Sequence, residues 1–204
     1  VGKVIFDIET TSLFAKDGRT KLNDVIPLMC TFGIPVGSRE NESTSELGLT
    51  TLYAESYSDV PRFLQSMCDK MVELTPMKMI TFNGAKFDMP IIRRAFVDNG
   101  VTGYPFRDAY HVDVYQEMLS PNFHFDTKSK SKSLKTLSER WLGYKYDMSG
   151  NDFFNMYDEW QLTGNDDILK KLIDYNQADV INTWKLYNLL KPFTPKYWER
   201  GKSL

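Results

Sequence analysis

Lys3-Val4-Ile5-Phe6-Asp7-Ile8-Glu9 is the stretch on which the reading of this chain turns. The apolar run Val4, Ile5 and Phe6 predicts a short buried strand over Lys3 to Ile8. Side chains alternate between the faces of a strand, so Asp7 and Glu9 point to one side while Phe6 and Ile8 point to the other. Two carboxylates emerging together from a buried strand are costly unless something positive stands between them. A divalent cation meets that need, and magnesium favours carboxylate oxygens together with water and substrate phosphates. The same two acids can also simply cap a strand end and pair with Arg or Lys, and both uses are open at this point.

Working outward, Val25 to Val36 and Leu49 to Ala54 read as two further extended segments, the first interrupted by Pro27, with a polar loop from Ser38 to Gly48 between them. Asp59 to Leu74 has helical spacing, with Ser58 as its N-cap. Lys78 to Phe82 predicts a fourth strand, Met89 to Asn99 a helix closed by Gly100, and Tyr110 to Val114 a fifth strand. Helical patterns return over Lys132 to Leu142 and Ile168 to Leu190, while Asp147 to Asn165 reads as an irregular insertion with short helical pieces. Three strands before any helix suggest an antiparallel start, and the whole order predicts an α/β fold: a mixed sheet flanked by helices. One domain over 1–204, with its core in 3–190, is expected.

Composition narrows the function classes. The 204 residues are 42% hydrophobic and 25% charged, which is a globular and not a disordered balance. With 25 Lys+Arg against 27 Asp+Glu, the formal charge is −2, so no blanket of positive charge exists to hold duplex DNA. Any nucleic-acid contact must be local, in a groove or assisted by metal ions. Two cysteines (Cys30, Cys68) and two histidines (His111, His124) argue against a disulfide framework and a zinc centre. No apolar run approaches the ~18–20 residues of a membrane helix, and no signal-peptide pattern is present. A cytoplasmic or other reducing compartment, without secretion or membrane contact, is the expectation. Val1 in place of Met suggests a trimmed or internal start.

Two more acidic motifs follow. Asn83-Gly84-Ala85-Lys86-Phe87-Asp88 comes after the strand Met79-Ile80-Thr81-Phe82 and opens a helix, placing Asp88 in the first helical turn, where a negative charge suits the dipole. Asn122-Phe123-His124-Phe125-Asp126 has nearly the same pattern, but Pro121 precedes it and no strand leads into it, so it reads as loop. Tyr175-Asn176-Gln177-Ala178-Asp179 sets Tyr175 and Asp179 at i and i+4 on one helix face. Tyr104 and Asp108 repeat that spacing, but Pro105 disfavours the α region for Tyr104.

In the order Asp-x-Glu, Asn-x-x-x-Phe-Asp and Tyr-x-x-x-Asp, these motifs resemble the proofreading 3′→5′ exonuclease domain of DNA polymerases, the tyrosine-bearing branch of the DEDD superfamily, with a ribonuclease H-like fold. The likeness runs from Lys3 to Leu190. Phe82 to Pro90, Asp174 to Val180, and Ser133-Leu134-Lys135-Thr136-Leu137 leading to Trp141-Leu142-Gly143-Tyr144 resemble the phage-type and family B polymerase relatives in particular. The histidine-bearing branch would carry a histidine where Asp174 stands.

The resemblance implies that Asp7, Glu9, Asp88 and Asp179 hold two Mg²⁺ or Mn²⁺ ions. Asp7 would be shared, Glu9 and Asp179 would hold the ion at the attacking water, and Asp88 would act mainly around the other. Tyr175 would orient the water. The implied partner is the 3′ end of single-stranded nucleic acid, DNA ahead of RNA, in the company of a replication or repair protein. Asn83, Phe87, Thr10, Thr11 and Leu13 are the implied substrate contacts. Lys132 and Lys135, in a run with Lys128 and Lys130 that contains no acid, could grip the backbone or could form a solvated loop. His111 and His124 are expected to be structural, and Asp113 is a further acid without a role. A 3′→5′ exoribonuclease resembling the RNase D type, and a non-catalytic nucleic-acid-binding module, are the alternatives.

Overall fold

β1 (Lys3–Thr10) lies at the centre of a five-stranded sheet of order β3-β2-β1-β4-β5. The computed structural model describes residues 2–11, 25–37, 46–102, 109–120 and 132–194. β2 (Pro27–Val36) runs antiparallel to β1, and β3 (Glu46–Tyr53) antiparallel to β2. β4 (Lys78–Thr81) runs parallel to β1, and β5 (Tyr110–Asp113) parallel to β4. The mixed sheet with an antiparallel start is therefore the observed one. A central strand covered on both faces must be apolar on both. In β1, Val4, Phe6 and Ile8 are buried on one face and Ile5 on the other.

α1 (Val60–Leu74) and α2 (Asp88–Asp98) cover the Val4, Phe6 and Ile8 face with Phe63, Leu64, Met67, Ile92 and Phe96. The cap of α1 differs from expectation. A short 3-10 turn, Tyr57–Asp59, precedes the helix, so Asp59 and not Ser58 is the N-cap residue. Asp59 is held there by Arg62 Nε at 2.6 Å. α2 ends as expected, with Gly100 at φ +65.

The region after β5 is a π-helical turn, Val114–Leu119. α3 (Leu134–Leu137), capped by Ser133, continues as another π-helical turn, Ser138–Leu142, so the expected helix over Lys132 to Leu142 is real but irregular. The expected irregular insertion over Asp147 to Asn165 is corrected. It contains a regular helix, α4 (Gly150–Thr163), opened by a reciprocal Ser149–Asp152 capping box. Phe153 and Tyr157 are buried on α4, and Met156 and Trp160 pack beside them, so its inward face follows an i, i+3, i+4, i+7 pattern.

α5 (Asp166–Leu190) crosses the other face of the sheet, where Val180, Trp184 and Tyr187 pack with Ile5, Ile80 and Val112. Gly33 of β2 permits that approach: a Cβ there would stand 2.6 Å from Val180 Cγ1. Leu13, the 104–108 pair and the 122–126 repeat lie outside the described residues. No helix among the described residues is long and apolar enough to cross a membrane.

Candidate active site

β1 and α5 bring three of the four predicted acids together. One carboxylate oxygen each from Asp7, Glu9 and Asp179 lies within 4.8 Å of the others. The cause is local. Asp7 and Glu9 share the face of β1 that α5 crosses, and the Gly33–Val180 contact brings Asp179, the residue before Val180, down onto it. The fourth acid approaches differently. Asp88, the first residue of α2 and 3% exposed, accepts the Ile8 amide hydrogen through Oδ1 at 3.1 Å. That amide lies between Asp7 and Glu9 in the chain.

The cluster is electrostatically strained. Burial first, then the charges of Asp88, Asp179 and Glu9, hold the Asp7 carboxyl well above its usual range, against a lowering hydrogen bond from Asn176. Burial and then Asp179 and Asp88 do the same to Glu9. Burial pushes Asp88 up to about 7, opposed by the Ile8 amide, and Asp179 up to about 7, opposed by a hydrogen bond from Tyr146. Carboxylates this crowded favour either protons or a cation. An all-oxygen set of this kind suits a hard divalent ion, so Asp7, Glu9 and Asp179 form a group that can hold a metal.

The turn into α2 is built by an acid without an assigned role. Asp113, 1% exposed, accepts four backbone amide hydrogens: Asn83 at 2.9 Å, Ala85 at 3.0 Å, Tyr115 at 3.0 Å and Gln116 at 3.1 Å. It thereby holds Asn83 in the left-handed conformation at φ +62, and Gln116 Nε2 donates to Asn83 Oδ1 at 2.8 Å. Gly84 must be glycine there, since a Cβ would meet Thr81 Oγ1 at 2.4 Å and Asp88 Oδ2 at 3.0 Å. Buried His111 shares a 2.8 Å hydrogen bond with Thr81, in keeping with the structural role expected of it.

α5 supplies the rest. Tyr175 stands one turn before Asp179, and its hydroxyl is pushed well above the usual tyrosine range by burial and then by Asp179, Glu9 and Asp7. Asn176, fully buried, donates from Nδ2 to Asp7 Oδ2 at 2.8 Å. Tyr146 gives its hydroxyl hydrogen to Asp179 and accepts one from Asn182 Nδ2 at 2.9 Å.

Above the acids opens a cavity of about 450 Å³. Thr10, Thr11, Asn83 and Phe87, four of the predicted substrate contacts, line it, with Tyr175. Thr11 also ties the end of β1 to Ile26, accepting that residue's amide hydrogen at 2.9 Å. Lys132 and Lys135 are not on its wall; Lys135 Nζ donates to the Met148 carbonyl at 3.4 Å, and the neighbours Ser133 and Leu134 face the cavity instead. Ser149, Gly150 and Asn151, at the start of α4, line it as well.

Sequence reasoning did not single out Asn176 and Tyr146. Asn176 left a signal: an amide on the buried side of a helix, three residues before a site aspartate. Tyr146 left none, because it comes from an irregular segment and meets Asp179 only through the tertiary fold.

A mixed sheet whose central strand offers two acids to a third on a covering helix is the arrangement of the RNase H superfamily, and the chain belongs to it: the family model RNase_H_2 matches residues 4–191. Among solved structures, the chain is similar to the family B DNA polymerase from the hyperthermophilic archaeon Pyrobaculum calidifontis. The TM-score is 0.66 at 17% identity, over 93% of this chain and 24% of that one, and at this identity the likeness is one of fold. The chain thus spans about a quarter of the polymerase's length. A comparison with curated protein sequences gave no match.

Proposed function

We propose that the chain is a 3′→5′ exonuclease that removes nucleoside 5′-monophosphates from the 3′ end of single-stranded DNA, using Mg²⁺ or Mn²⁺. The observation that carries this reading is the meeting of Asp7, Glu9 and Asp179 at the base of an open cavity, with Tyr175 on its wall. RNase H superfamily membership supports the nuclease class.

Asp7, Glu9 and Asp179 would hold the ions, with Asp88 steering the backbone of β1 between the first two. Two divalent ions would supply an activated water and a stabilised leaving oxyanion for in-line displacement at phosphorus. The protein's own part is orientation. Asn176 fixes one oxygen of Asp7, and Tyr146 does the same for Asp179. Tyrosine's ordinary pKa of about 10 makes Tyr175 a poor base at neutral pH, so it would orient water as a hydrogen-bonding group. Thr10, Thr11, Asn83 and Phe87 would contact the terminal nucleotides.

The test is a set of 5′-labelled DNA and RNA oligonucleotides incubated with Mg²⁺ or Mn²⁺, with the Asp7→Ala protein as control. A ladder shortening from the 3′ end, faster on DNA, is expected. Faster loss of RNA would move the substrate to the RNase D type. Tight single-strand binding without release of nucleotides under either metal would overturn the enzyme reading.

A further inference from the structure

A second cavity, of about 400 Å³, is lined by Tyr144, Tyr146, Met148, Met156 and Tyr175. Small-molecule pockets span about 300–1,000 Å³. Tyr175 is common to both cavities. One segment, 144–151, contributes Tyr144, Tyr146 and Met148 to this cavity and Ser149, Gly150 and Asn151 to the other.

We propose that this second cavity is a nucleobase subsite, which takes an amino-bearing base of the single strand while the phosphate stays with the acids. The proposal rests on the exonuclease reading for the identity of the strand, but not for the chemistry of the pocket. That chemistry is aromatic and donor-seeking. Tyr144 and Tyr146 meet edge to face with ring centroids 5.0 Å apart at 83°, and Tyr146 and Tyr175 do so at 5.8 Å and 69°. Perpendicular rings form a corner in which a planar ligand stacks on one face and meets the edge of the next. Met148 and Met156 supply a soft, adaptable surface behind them.

The charged lining is Asp147, Asp174 and Lys171, two acids against one base. A phosphate is repelled by that balance. A neutral ring with exocyclic N–H donors is not, because the carboxylates can accept from it. Adenine, cytosine and guanine carry such an amino group, whereas thymine and uracil do not. A base seated here would share Tyr175 with the cavity above the acids, so a sequence preference would arise without any contact at the scissile phosphate.

The experiment uses the full chain in EDTA with neutral nucleosides, so that neither metal nor phosphate contributes. Ligand-observed NMR titrations with deoxyadenosine and thymidine should show deoxyadenosine bound more tightly, by about 10-fold, the lower end of what a hydrogen bond to a charged acceptor is worth. Met156→Trp, which fills the cavity, and Tyr144→Ala, which removes its exposed wall, should each weaken deoxyadenosine binding by a similar factor. Tyr144 is exposed, so its truncation should leave the thermal midpoint near wild type. Equal binding of the two nucleosides, or wild-type binding by both variants, would overturn the subsite. If oligonucleotides are not hydrolysed yet these nucleoside results hold, the exonuclease reading falls and the subsite stands.

Discussion

The carboxylate of Asp88 accepts the amide hydrogen of Ile8 at 3.1 Å, so the acid that opens α2 is anchored to the backbone between the two acids of β1. Asp88→Asn keeps an acceptor for that amide and removes one charge from a crowded set. Its thermal midpoint should match or exceed wild type, while nucleotide release falls by about 10- to 100-fold. Asp88→Ala leaves the amide unpaired and should cost about 1–3 kcal/mol of stability. Calorimetry beside the release assay separates the two, and an Asn variant that melts well below wild type would contradict the anchoring account.

The raised carboxyls give the metal-free protein a definite pH response. A carboxyl whose folded pKa exceeds its unfolded value binds more protons folded than unfolded. Its contribution is greatest below the unfolded pKa near 4 and falls until pH passes the folded value, about 7 for Asp88 and Asp179. In EDTA, wild type should therefore lose stability relative to Asp179→Asn as pH rises from about 4 to 7. Mn²⁺ should reverse the loss at pH 7 and above. Parallel curves for the two proteins in chemical denaturation would refute the raised values.

Asp7→Ala should abolish nearly all nucleotide release and leave the fold intact. Tyr175→Phe keeps every carboxylate and should lose less, on the order of 100-fold at most. Single-turnover rates on one oligonucleotide compare them directly. Wild-type turnover in Asp7→Ala would sink the metal assignment, and equal losses would mean that Tyr175 does more than orient water.

Tyr146→Phe removes the hydrogen bond that lowers the Asp179 carboxyl. Mn²⁺ affinity should drop by about 10- to 100-fold, with the loss greatest at low pH, where Asp179 then competes more strongly for a proton. Titration calorimetry at two pH values reads this without any turnover.

Gly33→Val introduces a residue that strands normally favour, yet it should destabilise by about 1–3 kcal/mol because its Cβ enters the space of Val180. As α5 shifts, Mn²⁺ affinity should fall with stability. Undiminished affinity would show that Asp179 is positioned independently of that contact.

Much of this arrangement is legible in the sequence. The alternation of Phe6-Asp7-Ile8-Glu9 sets a strand, a face and a pair of acids at once, and the i, i+4 spacing of Tyr175 and Asp179 sets a helix face. α4 is harder to read: Phe153, Met156, Tyr157 and Trp160 do fall at helical spacing, but Phe154 and the exposed Leu162 lie off that face and blur the pattern. The work of Asp113 is not legible there: it caps the turn that follows it and also reaches the Asn83 and Ala85 amides, 30 and 28 residues earlier. Lys135, which the sequence leaves open as a phosphate grip or part of a solvated loop, turns to the Met148 carbonyl in the folded chain.

The strand order has a consequence for how such a molecule can change. From β1 the chain steps one way to β2 and β3, then returns to place β4 and β5 on the other side. The crevice at that reversal lies beyond the ends of β1 and β4, where connecting segments diverge. Asp7 and Glu9 sit on the most constrained strand, whereas much of the cavity wall comes from connections and helix starts. On the proposed function, hydrolysis and selectivity would thus reside largely on separately alterable parts. Grafting new connections while keeping β1, α5 and the Asp88 start of α2 should redirect what is cut while preserving the ability to cut.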